Sequence, residues 1–131
     1  MPILTAGYGA VFALLLVALS INVIRLRYRF SVSLGDGGEE QLRRAIRGQG
    51  NFAEYVPLTL LLMLCLELLS QPTWLIHLIG MMFLTGRLAH GISFTFFDSA
   101  MDMRRIGMVL IFAALIIASI GNLIAVYSKV L

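Results

Sequence analysis

The sequence predicts an all-α membrane protein built as a bundle of four transmembrane helices. Of its 131 residues, 60% are hydrophobic and only 13% are charged, whereas about a quarter of a soluble domain is charged. The charges are also segregated, since residues 1–24 and 106–128 contain none. So few polar side chains cannot cover a globule of this size, and a soluble enzyme is excluded.

Four apolar stretches are long enough to cross a bilayer core, which takes about 20 residues in a helix. They predict helices over about 3–29, 39–69, 73–98 and 104–128 within a single domain of residues 1–131. The first stretch lacks a basic leading segment and a cleavage site of small residues, so we do not expect it to be a removed signal peptide.

The second helix is expected to begin outside the membrane. A turn containing glycines 35, 37 and 38 precedes Glu39 and Glu40, and carboxylates are stabilised in the first turn of a helix by its dipole. The helix then enters the bilayer near Asn51, and Gly48, Gly50 and Pro57 weaken or kink it at that entry. The third helix begins at the end of the short connection 70–73, and the fourth begins with the basic pair Arg104 and Arg105.

Basic residues fix the expected orientation. Eight of the ten lie in the first and third connections, and Lys129 is alone at the other end; the eight are Arg25, Arg27, Arg29, Arg43, Arg44, Arg47, Arg104 and Arg105. The positive-inside rule therefore places both connections in the cytoplasm and both termini on the non-cytoplasmic side of the membrane. No nucleic acid partner is expected, because the chain lacks a basic soluble surface.

Four polar side chains share one face of the second helix as it enters the membrane. At 100° per residue, Asn51 lies about 40° from Arg47, Glu54 about 20° to the other side, and Tyr55 about 80° away. Such a face must point into the bundle or at another subunit, unless it only anchors the helix at the headgroup level.

The third helix carries Arg87 and His90, with Arg87 roughly 15 Å from its cytoplasmic end. A buried arginine needs an acidic partner, so we expect an ion pair between Arg87 and Glu54, serving either a ligand site or helix packing alone. Glu67 and His77 flank the outer connection and are expected to meet there or to reach the surface separately. No metal site is expected, because the two histidines lie on opposite halves of one helix.

The stretch from Arg47 to Tyr55 resembles the R-x-x-x-N-x-x-E-Y signature of the MAPEG family, the membrane-associated proteins in eicosanoid and glutathione metabolism. The arginines closing the first helix, the Arg87-x-x-His90 pair and the basic start of the fourth helix are similar too. The glycine-rich connection looks like that of the small bacterial inner-membrane members. The resemblance implies a homotrimer in that membrane with glutathione bound between subunits on the cytoplasmic side.

The resemblance also implies roles for individual residues. Glutathione would be bound by seven of them, with Glu54 taking its ammonium group: Arg27, Arg47, Gln49, Asn51, Glu54, Tyr55 and His90. Arg87 would brace Glu54. Arg104, or alternatively Arg105, would be the catalytic group that stabilises the glutathione thiolate, since a guanidinium beside a thiol favours ionisation.

The implied function is a glutathione transferase or peroxidase acting on lipophilic electrophiles that arrive through the membrane lipid. The sequence departs from many family enzymes in having His90 and Phe94 where they have tyrosines. A non-catalytic protein that binds a lipid or a partner is therefore the alternative. A four-helix drug exporter is disfavoured, because the first helix has no acid to couple protons.

Overall fold

The computed structural model describes the backbone of residues 1–96 and 101–130 and the side chains of residues 1–91 and 102–130. The side chain of Phe94 lies outside them. Four helices account for the described chain: α1 (Ile3–Phe30), α2 (Glu40–Leu68), α3 (Thr73–Phe96) and α4 (Met101–Val130). The predicted all-α, four-helix fold is thus confirmed. α4 begins three residues before the expected position 104.

Three of the helices are long and apolar enough to cross a membrane: α1, α2 and residues Asp102–Val130 of α4, as judged over the described chain. α3 has 24 residues, and at 1.5 Å per residue its length of about 36 Å exceeds a bilayer core of about 30 Å. Its hydropathy is lowered by Arg87 and His90, both of which are buried in the bundle.

The core is centred on an aromatic cluster contributed by three helices. The rings of Phe12 (α1) and Phe83 (α3) meet edge to face, with centroids 5.4 Å apart. Phe52 (α2) meets Phe12 in the same way at 6.3 Å. These apolar side chains fix α1, α2 and α3 around one point and place the polar residues of α2 and α3 next to it.

α3 and α4 approach each other closely at a pair of glycines. A Cβ atom at Gly86 would lie 2.9 Å from the carbonyl oxygen of Gly107, and one at Gly107 would lie 2.9 Å from that of Gly86. The same Gly107 position is 3.2 Å from the Cβ of His90. Only glycine fits at both positions, so this contact sets the spacing between the His90 turn of α3 and the arginines that begin α4.

Glu67 (α2) caps the first turn of α1. Its carboxylate accepts hydrogen bonds from the backbone N–H groups of Leu4 and Thr5, both at 2.8 Å, and from the Thr5 hydroxyl at 2.7 Å. His77 instead forms a hydrogen bond with the Tyr8 hydroxyl, at 3.1 Å. Neither expected arrangement, a Glu67–His77 contact or separate extension to the surface, is observed: both side chains bond to α1, whose free N–H groups offer the carboxylate more donors than an imidazole can.

The α1–α2 connection is held by Asp36. Its carboxylate accepts hydrogen bonds from the Gly38 N–H at 2.9 Å and from Arg43 Nε at 2.7 Å. The Gly38 N–H, followed by Arg43, lowers the pKa of Asp36 below its usual value. Because three glycines in this turn adopt positive φ angles, a compact connection needs their conformational freedom.

Candidate functional site

The predicted face of α2 lies at the end of the bundle where α1 finishes and α2 and α4 begin, here called the arginine-rich end. Arg47 and Glu54 are exposed on the surface of the single chain, and Asn51 and Tyr55 are half-buried beside them. The face thus combines charged groups open to a ligand or a neighbouring subunit with an amide and a phenol that contact the rest of the bundle.

Asn51 connects this face to Arg87. The Arg87 Nη1 donates a 2.7 Å hydrogen bond to the Asn51 Oδ1. The guanidinium carbon also lies 4.9–5.6 Å from three ring centroids, those of Phe52, Tyr55 and Phe83, a distance at which an aromatic face attracts a cation. Arg87 is 3% exposed, and its Nε and Nη2 have no hydrogen-bond partner in the described part of the chain.

The expected Arg87–Glu54 ion pair is not formed in this chain, where Arg87 bonds to Asn51 and Glu54 lies on the surface. The physical reason is the direction of the side chains. Glu54 is three residues after Asn51, about 60° farther round α2, so the Asn51 amide rather than the Glu54 carboxylate is in hydrogen-bond reach of Arg87. Glu54 is left available to a ligand rather than committed to Arg87.

α4 contributes the two candidate thiolate-stabilising arginines, which occupy different environments. Arg104 is half-buried. The side chain of Arg105 is 75% exposed, and its Nη1 lies 3.8 Å from Asp102, a loose surface pair. The ring of Tyr55 meets Phe112 of α4 edge to face at 5.8 Å, which ties α4 to the α2 face.

Arg27 and Gln49 lie apart from that face. Arg27 Nη1 donates to the Gly35 carbonyl oxygen at 3.0 Å, and Gln49 Nε2 donates to the Ser20 hydroxyl at 2.8 Å. In the single chain both side chains stabilise the α1–α2 hairpin. No motif in the sequence marks Ser20 as the partner of Gln49.

His90 is buried, 6% exposed, on the turn of α3 that packs against Gly107. The described residues contain no group of three or more histidine, cysteine, aspartate and glutamate side chains able to hold a metal ion. The α2 face and the arginines near it instead offer several guanidinium groups, the exposed Glu54 carboxylate, an amide and a phenol. That set suits a small zwitterion with more than one carboxylate, because guanidinium groups bind carboxylates in bidentate fashion and a carboxylate binds ammonium.

Comparison with known proteins extends over almost the whole chain. The model of the MAPEG family matches residues 5–124. The inner membrane protein YecN of Escherichia coli K12 is 40% identical over 119 residues, which cover 91% of this chain and 89% of that protein. The YecN of Escherichia coli O6:H1 matches to the same extent.

Proposed function

The chain belongs to the MAPEG family, and from that premise we propose that it is a glutathione-dependent transferase or peroxidase for lipophilic electrophiles at the cytoplasmic side of the bacterial inner membrane. The observation that carries this proposal is the α2 face, on which Arg47 and Glu54 are open to a ligand while Asn51 and Tyr55 are held by α3 and α4.

In this proposal the α2 face binds the tripeptide. Arg47 pairs with a glutathione carboxylate, Glu54 with its ammonium group, and Asn51 and Tyr55 supply hydrogen bonds. Arg87 acts through Asn51: by donating to Oδ1 it turns the Asn51 amide N–H₂ toward the ligand. This differs from bracing Glu54 and makes Arg87 a positioning residue.

Arg104 stabilises the thiolate. Its half-buried position makes its charge more effective than that of exposed Arg105, because water screens a buried charge less. In the transferase reaction the thiol releases its proton to water, sulfur bonds to the electrophilic carbon, and the electron pair moves onto the leaving group. In the peroxidase reaction two glutathione molecules reduce one hydroperoxide to an alcohol and water and leave as the disulfide.

A homotrimer completes the site. Arg27 and Gln49 are turned to the α1–α2 hairpin rather than to the α2 face of their own chain, so they reach a glutathione molecule only at a boundary with a second copy. The lipophilic substrate arrives from the membrane, where the helices present apolar side chains to lipid, as Ile116, Leu123 and Ile124 do on α4.

Glutathione binding tests the proposal. The purified protein in mild detergent should bind glutathione at millimolar concentration or below, and the bound thiol should ionise well below the pH at which free glutathione does, detected by thiolate absorbance. If glutathione does not bind at millimolar concentration, the protein is instead the non-catalytic alternative that binds a lipid or a partner. The burial of His90 favours that alternative, since it places an imidazole inside the bundle where many family enzymes have a tyrosine.

A further inference from the structure

A pocket of about 460 Å³ lies at the C-terminal end of α1, where the helix passes into the α1–α2 connection. Its described lining combines apolar and aromatic side chains with one guanidinium and two hydroxyls, from Ile24, Arg27, Tyr28, Ser31, Val32 and Ser33. All of these residues belong to α1 or to the connection. The pocket therefore lies at the edge of the bundle and not in its core.

The pocket is placed where the apolar part of α1 ends. Residues 1–24 carry no charged side chain, and Arg25 is the first that does. Tyr28 is 83% exposed, and exposed tyrosines are typical of the boundary between the hydrocarbon core and the head groups of a bilayer. The pocket thus opens at the level of the lipid head groups.

An apolar stripe on α1 leads from the membrane interior to the pocket. Leu14, Val17, Ile21 and Ile24 are each more than half exposed, and at 100° per residue they lie within a sector of about 80° that also contains Tyr28. The rise from Leu14 to Ile24 is about 15 Å, which is half of a bilayer core of about 30 Å. The stripe therefore matches the depth of one leaflet and suits the acyl chain of a lipid whose head group lies in the pocket.

The arginines at this end of α1 differ from those that begin α2 in having no acidic partner. Arg43 and Arg44 each form ion pairs with acidic side chains, whereas no ion pair within the described ranges involves Arg25, Arg27 or Arg29. Three uncompensated positive charges outweigh the partial negative charge of about one half at the end of a helix. They favour an anionic ligand here.

We propose that this pocket binds the phosphodiester head group of an anionic membrane phospholipid, with one acyl chain along the apolar stripe of α1. Arg27 Nη1 donates to the Gly35 carbonyl oxygen at 3.0 Å. This bond holds the guanidinium beside the pocket, and its other N–H groups are available to phosphate oxygens. The hydroxyls of Ser31 and Ser33 add two donors. A zwitterionic head group fits less well, because the described lining offers its cationic group no carboxylate.

The proposal does not rest on glutathione binding. None of the described lining residues lies on α2, and Arg27 is the one residue that the pocket shares with the proposed glutathione site. Ser33 belongs to the pocket alone, so a substitution there separates the two sites.

Native mass spectrometry of the whole protein in mild detergent tests the proposal. Dioleoylphosphatidylglycerol is the anionic probe, and dioleoylphosphatidylcholine is its zwitterionic counterpart with the same acyl chains. We expect one phosphatidylglycerol per chain, bound about tenfold or more tightly than phosphatidylcholine. Ser33→Glu places a carboxylate in the pocket and should remove that preference, leaving phosphatidylcholine binding unchanged. Gln41→Glu is the matched control, since it adds the same charge at an exposed residue outside the pocket and should change neither.

Three results would overturn the proposal: equal binding of the two lipids, an unchanged preference in Ser33→Glu, or an equal loss in Gln41→Glu. If Ser33→Glu fails to fold, Arg27→Gln should remove the preference in its place. Glycerol 3-phosphate at millimolar concentration should not displace the lipid, and displacement would show a site for soluble phosphate esters instead. A protein that prefers phosphatidylglycerol but does not bind glutathione would contradict the proposed function alone.

Discussion

Arg104 and Arg105 are neighbours in the sequence with different surroundings, and the proposed chemistry depends on that difference. Because Arg104 is half-buried and Arg105 is exposed, Arg104→Ala should lower turnover about 10- to 1,000-fold, the scale of losing one electrostatic stabiliser. Glutathione affinity should change little. In Arg104→Ala the thiolate absorbance of bound glutathione should move toward the pH of the free thiol.

Arg105→Ala is the matched control for that experiment and should leave both turnover and the thiolate absorbance near the wild-type values. If bound glutathione titrates like the free thiol in the wild type as well, arginine does not activate it. If Arg105→Ala has the larger effect, the assignment of the two arginines is reversed.

Glu54 is expected to matter for binding and not for folding. Since its carboxylate is exposed and Arg87 bonds to Asn51 instead, Glu54→Gln should leave the melting temperature within about 1 °C of wild type. It should weaken glutathione binding about tenfold or more by removing the partner of the ammonium group. Titration calorimetry and a thermal melt on the same sample measure both. Glu39→Gln removes an exposed carboxylate elsewhere and should change neither, whereas a large drop in melting temperature for Glu54→Gln would mean that it stabilises the bundle.

At the scale of helices, the contact between Gly86 and Gly107 is the most restrictive in the bundle. Gly107→Ala should destabilise the protein by about 1–3 kcal/mol, because its Cβ would meet backbone that cannot move aside. The melting temperature in detergent measures this. Gly50→Ala is the control, since a Cβ there meets open space and alanine favours a helix. Equal melting temperatures for the two variants would contradict the close contact.

The α1–α2 connection should loosen in acid. The Gly38 N–H and Arg43 lower the pKa of Asp36 in the folded protein. The ionised carboxylate therefore stabilises the fold fully above the unfolded pKa of about 4, and this stabilisation is lost as the pH falls through the lower native pKa. Hydrogen exchange of the Gly38 amide should accelerate in Asp36→Asn at neutral pH relative to wild type. Equal exchange in the two proteins would show that Asp36 does not hold the turn.

The helices were predictable from sequence because long apolar runs bounded by charged or glycine-rich segments have few other structures open to them. The contacts between helices were not. Glu67 bonds to Thr5, and Arg87 bonds to Asn51 rather than to Glu54. These partners depend on how far each helix is rotated about its axis, which is set by packing. The α2 face itself was predictable, since helical periodicity alone brings Arg47, Asn51 and Glu54 together.

At the scale of the whole molecule, orientation and assembly remain predictions. Both termini should lie outside the cytoplasm, since eight of ten basic residues lie in the first and third connections. A reporter enzyme that is active only in the periplasm should therefore be active when it is fused after Leu131. Activity of a reporter that works only in the cytoplasm, fused at the same position, would show that the orientation is opposite to the predicted one.

The assembly prediction is a homotrimer. Cross-linking and native mass in mild detergent should show three chains if, as proposed, Arg27 and Gln49 complete the glutathione site of a neighbouring copy; in their own chain both side chains bond within the α1–α2 hairpin. A protein that is monomeric in mild detergent and still binds glutathione would contradict the shared site.

The cap on α1 also bears on the order in which the chain matures. The N–H groups of Leu4 and Thr5 are capped by Glu67, which follows 63 residues after Leu4 in the chain. At about 5–20 residues per second, synthesis delivers Glu67 roughly 3–13 s after the start of α1. During that interval the N-terminal end of α1 has no side-chain cap of its own. The N-terminal end of α1 is therefore capped only after α2 has been synthesised through to Glu67. This makes the α1–α2 hairpin the first part of the chain that can insert into the membrane with its helix cap formed.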